Sequence, residues 1–142
     1  MHIRNILVAW DGSKPSERAL ALANDLAGEY RARLLLVEVL QPLPAATGAF
    51  VPVAPFPTQQ DIDEAQRELE ARAKELRAQG RTVEAKVQVG EIVKTLLEAA
   101  DRFEASVIVA GRSGKGAVAR VVLGSVTTAL LHTATRPILV VP

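Results

Sequence analysis

The chain contains no cysteine, which excludes disulfides, thiolate metal sites and thiol nucleophiles, and is neutral between an intracellular and a secreted protein. It also lacks a surplus of either charge. Seventeen Lys and Arg stand against 16 Asp and Glu, a formal net charge of +1, so nothing electrostatic argues for nucleic acid or an anionic membrane as a partner. A signal-peptide pattern is missing where the sequence begins: Met1-His2-Ile3-Arg4-Asn5 runs straight into a strand-like segment. The cytoplasm is therefore the expected compartment.

Long hydrophobic runs are missing too. Val39 to Gln60 is uncharged but holds five prolines, and Val121 to Thr135 carries Gly124, Ser125 and several threonines. The second is also shorter than the roughly 20 apolar residues that a spanning helix needs. Two nucleotide motifs are absent, the phosphate loop G-x-x-x-x-G-K-[ST] and a G-x-G-x-x-G after the first strand. A standard phosphate-loop ATPase and an ordinary dinucleotide dehydrogenase are both disfavoured.

What remains is a sequence of 142 residues, the length of one domain with a continuous core. No internal repeat or linker divides residues 1–142. Short apolar runs, rich in branched residues, alternate with longer amphipathic ones. Ile6 to Trp10, Leu34 to Val39, Val107 to Ala110 and Ile138 to Val141 read as buried parallel strands. Between them the period becomes helical. Ala19, Leu22, Ala23, Leu26 and Tyr30 share one face, as do Ile62, Leu69, Ala73 and Leu76, and again Ile92, Val93, Leu96, Leu97 and Ala100. A fourth helix is expected from about Ser125 to Ala134.

Thr82 to Val89 differs, because Val83, Ala85, Val87 and Val89 alternate with Thr82, Glu84, Lys86 and Gln88. That pattern belongs to a half-exposed strand at a sheet edge. Right-handed crossovers then give an α/β fold: one doubly wound, Rossmann-like sheet of five parallel strands in the order 3-2-1-4-5, with helices on both faces. The segment at about 41–60 is too long for an ordinary connection and rich in proline, and is expected to be either a functional flap or disordered.

In this order the winding reverses between the first and fourth strands, and ligands of open α/β sheets bind outside the carboxyl ends at such a point. The two most distinctive stretches fall there. Trp10-Asp11-Gly12-Ser13 ends the first strand; Gly111-Arg112-Ser113-Gly114 ends the fourth, followed by Gly124-Ser125. Glycines let an anion approach backbone N–H groups, and Ser125 opens a helix whose positive end suits phosphate oxygens. Three glycines and a hydroxyl residue at such fixed offsets arise by chance in about one chain in 200, given a glycine frequency near 7%.

Asp11-Gly12-Ser13, the pattern G-x-x-G-x9-G-S from Gly111 to Ser125, and the ending from His132 to Val141 resemble the universal stress protein family, in its ATP-binding branch. The likeness covers nearly the whole chain outside the proline-rich segment. It implies a stress-response regulatory protein that binds ATP or AMP, with magnesium or manganese carried on the phosphates. Asp11 would then meet the ribose or adenine, with Ala9 beside it, and main-chain groups near Val39 would contact adenine. Gly111, Ser113 and Gly114 would hold ribose and phosphate, and Gly124, Ser125 and Val126 the remaining phosphates. A homodimer through the last strand, Pro137 to Val141, is implied as well; that strand is an apolar edge with no inward charge to block pairing.

Each residue also has a plainer role. Asp11 fits a turn that leads into the helix near Pro15, with Ser13 as its cap, Gly111 and Gly114 fit a tight strand-to-helix turn, and Ser125 fits an N-cap. Arg112, Lys115 and Arg120 are exposed-type basic residues of which at most one is a phosphate partner. Trp10 fits the core better than a base stack. His132 has no second ligand at metal spacing and suits the negative end of the last helix. The charges from Asp61 to Arg77 fit a solvated helix face. A slow ATP hydrolase and a nucleotide-free dimeric scaffold are the alternatives to a regulatory module; no paired acid and base speaks for the first.

Overall fold

The structure, a computed structural model, describes residues 2–42, 56–112 and 123–142. Most of the proline-rich segment lies outside these residues, as do Ser113, Gly114, Lys115 and Arg120. Strands β1 (Asn5–Ala9), β2 (Arg33–Leu40), β3 (Val83–Val89), β4 (Val107–Gly111) and β5 (Ile138–Val141) alternate with helices α1 (Lys14–Tyr30), α2 (Gln59–Ala78), α3 (Ile92–Phe103) and α4 (Ser125–Thr133). The strands form one sheet in the order β3-β2-β1-β4-β5, and every pairing is parallel. This is the order expected from the sequence.

Strand alternation sorts the core into two layers. Ile6, Val8, Leu34 and Leu36 pack with Ala19 and Ala23 of α1 and Leu69 and Ala73 of α2. Their strand neighbours Leu7, Leu35, Val37 and Ile108 face the other way, against Leu96 and Ala100 of α3 and Leu130 of α4. Ile6, Leu7, Ile108 and Leu130 are completely buried, each contributing about 1.5–3 kcal/mol by leaving water. At β3 one face is covered and the other is not, so Val83 is buried while Glu84 and Lys86 are exposed. Tyr30 departs from the expected apolar face of α1. It is the last residue of the helix and 52% exposed, on the flank of Leu22 and Leu26, which are themselves only partly buried.

Among the described residues, no helix is long and apolar enough to cross a membrane. Trp10 is a core residue as expected, 6% exposed, and its ring lies under the Arg72 guanidinium, 5.7 Å from the centroid.

Candidate functional site

The β1–α1 turn is built by its own side chains. Gly12 has a φ of 77°, a left-handed conformation that suits glycine, and the Ser13 amide donates to Asp11 Oδ1 at 2.9 Å. Asp11 thus closes the turn, and its carboxylate is oriented by that bond. Ser13 then caps α1 by accepting from the Ser16 amide at 3.2 Å, with Pro15 in the first turn.

The end of β4 abuts this turn. A Cβ on Gly111 would stand 2.6 Å from Pro15 Cβ and 2.8 Å from its carbonyl carbon, so only glycine permits the seam between β4 and α1. Gly111 therefore has a packing reason for its identity, whatever else it does. Its carbonyl accepts from Thr127 Oγ1 at 2.8 Å, and the Arg112 carbonyl accepts from the Gly124 amide at 2.8 Å. These two bonds fasten the start of α4 to the end of β4. Thr127, which is buried, has no distinguishing signal in the sequence, since Ser125 and Thr128 beside it are hydroxyl residues too.

Ser125 is the first helical residue of α4 and Gly124 the N-cap, so the capping role allowed for Ser125 is not the one it takes. Gly124 is extended, with φ −61° and ψ 154°, and makes no side-chain cap, and no acidic residue lies in the first turn. The amides of Ser125, Val126 and Thr127 precede the first residue that can donate within the helix, Thr128, whose amide reaches the Gly124 carbonyl at 2.9 Å. Such an end, with unpaired donors and a positive dipole, fits a phosphate group. The other three helices are closed by side chains: Ser13 for α1, Thr58 in a capping box with Asp61 for α2, and Glu91 for α3.

Ala9, Val39 and Val126 all pack against the α3–α4 core layer, so three of the expected site residues share one face of the sheet. Ser113 and Gly114 lie outside the described residues. His132 is exposed in the last turn of α4. Among the described residues no group of three or more His, Cys, Asp or Glu is placed to hold a metal.

A family model described as the universal stress protein family matches residues 2–142. A universal stress protein of Thermus aquaticus is 33% identical, with 97% of this chain and 98% of that protein covered. The chain belongs to the universal stress protein family. Among solved structures, the universal stress protein UspA from Lactobacillus plantarum has a TM-score of 0.86 at 23% identity, over 100% of this chain and 99% of that one. A universal stress protein from Archaeoglobus fulgidus, solved in complex with dAMP, has a TM-score of 0.72 at 25% identity and covers both chains completely. The sheet of this universal stress protein is thus the sheet of its family, with the end of β4 packed against α1 and fastened to the start of α4 where the winding reverses.

Proposed function

We propose that this universal stress protein is a regulatory module that binds an adenine nucleotide, ATP, between the β1–α1 turn and the start of α4. The observation that carries the reading is the first turn of α4, which has neither a side-chain cap nor an acidic residue and is fastened to β4 beside that turn. The relative in complex with dAMP supports a purine nucleotide as the ligand.

Gly124, Ser125 and Val126 hold phosphates through their amides, and Gly111, Ser113 and Gly114 serve ribose and phosphate. Asp11 and Ala9 face the nucleoside, with main-chain groups near Val39 on adenine. A bound nucleotide brings magnesium or manganese on its phosphates. Residues 1–142 act as one cytoplasmic domain. Two copies pair through Pro137 to Val141, since β5 closes one end of the sheet and its residues are only partly buried; light scattering that returns a monomer mass overturns the pairing.

Calorimetric titration with ATP, AMP and GTP tests the ligand. Adenine-selective binding is expected, strongly weakened by Gly114→Val and reduced by Ser125→Ala. Wild-type affinity in the Gly114→Val protein places the ligand elsewhere.

A further inference from the structure

We propose that the outer edge of β3 is a latent pairing surface for a second copy of this chain, held closed by Gln66 and Arg77 of α2. The inference is independent of the nucleotide reading and concerns the edge of the sheet opposite β5.

Strand β3 has a neighbour on one side only. The Leu34 amide donates to the Thr82 carbonyl at 2.9 Å and the Gly90 amide to the Leu40 carbonyl at 3.1 Å. The even-numbered residues of this segment therefore face β2, and Val83, Ala85 and Val87 turn their N–H and C=O groups outward. Such a row invites another strand, but here it is occupied. The Gln66 side chain donates to the Ala85 carbonyl at 3.4 Å and accepts from the Val87 amide at 3.3 Å, the two bonds that the backbone of a parallel neighbour would make. Arg77 donates to the Val83 carbonyl through Nε at 3.0 Å and Nη2 at 2.8 Å, while its Nη1 is held by Glu70. Gln66, Glu70 and Arg77 are spaced by about one and then about two helical turns, and so share one flank of α2.

The occupant that fits this edge is the same edge of another copy. In an antiparallel pair centred on Ala85, Val83 of each copy lies opposite Val87 of the other, so outward groups meet outward groups throughout. The Val83 and Ala85 carbonyls and the Val87 amide, all held by α2, are groups that the pair needs. The residues between them match in charge. Glu84 of each copy lies opposite Lys86 of the other; both are exposed, and neither has an ion pair among the described residues. Opposite charges directly across a strand pair attract. On the other face, Leu69 and Leu76 of α2 pack in one layer with Val83, so the guards stay at the edge as long as α2 is seated. The edge opens when α2 lifts.

Static light scattering on the full chain, over a range of concentrations, tests this. Gln66→Ala combined with Arg77→Met removes both guards and leaves good helix formers at both positions; circular dichroism reports whether the protein folds. Its mass is expected to reach about twice that of the wild type or more, because the new strand pair joins two copies. Adding Lys86→Glu sets acid against acid across the pair and is expected to return the mass to the wild-type value. A double variant with the mass of the wild type at every concentration overturns the proposal. A raised mass that Lys86→Glu leaves in place shows association through another surface, and overturns it too. If the double variant does not fold, Gln66→Ala alone decides: a mass above that of the wild type is expected at the highest concentration, and an equal mass overturns the proposal.

Discussion

Helices α3 and α4 lie on the same face of the sheet and both begin at the carboxyl ends of the strands, yet their first turns are completed in opposite ways. At α3 the Glu91 carboxylate accepts from the amides of Val93 and Lys94 at 3.1 and 2.7 Å, so that helix carries its own anion. At α4 the cap is a glycine, and no carboxylate follows it. The same backbone physics acts at both ends, since unpaired N–H groups and the dipole attract negative charge in each. The difference teaches how a helix start is left open to an outside anion: α3 satisfies the attraction internally and α4 does not.

The strongest way to break that contrast is to give α4 the anion it lacks. Ser125→Asp is expected to lower ATP affinity about 100-fold in calorimetry, equivalent to about 2.7 kcal/mol. The melting temperature should hold or rise, because an acid in the first turn stabilises a helix by about 0.3–1 kcal/mol. Undiminished ATP affinity in that protein ends the comparison.

A smaller effect is expected from the seam that holds α4 in place. Gly111→Ala forces a methyl group against Pro15 and should destabilise the fold by about 1–3 kcal/mol in urea unfolding. A loss under about 0.5 kcal/mol, the range of neutral surface changes, would show that the start of α1 yields. The smallest effect sharpens the other side of the contrast: Glu91→Ala removes the cap of α3 and should cost about 1 kcal/mol of stability, with ATP affinity unchanged. More than a twofold loss of affinity there would show that the two helix ends are coupled.

The architecture was legible because its signals are local. Branched apolar runs mark β1, β2, β4 and β5, and the alternation from Val83 to Val89 marks the edge, since burial on one face or two writes itself directly into residue type. Ser13 was legible as a cap for the same reason. The contact of Gly111 with Pro15 was not, because it joins residues far apart in the chain and depends on how closely β4 approaches α1. Gly111 was read as a ligand glycine or as one that permits a tight turn, not as the contact with Pro15 that its packing demands. Glu91 escaped notice because glutamate is an infrequent cap, and Gly124 took the cap position expected of Ser125 because the chain enters α4 one residue earlier. Tyr30 matched the period of α1 but sits on its half-buried flank, with Leu22 and Leu26, at the helix's last residue.

Trp10 is the sole tryptophan of the chain. It precedes Asp11 directly, is enclosed in the α1–α2 layer, and is roofed by Arg72 of α2. The protein consequently carries an intrinsic fluorophore at the root of its β1–α1 turn. Detachment of α2 wets the indole and shifts its emission to the red, which gives an optical gauge of that layer without a label.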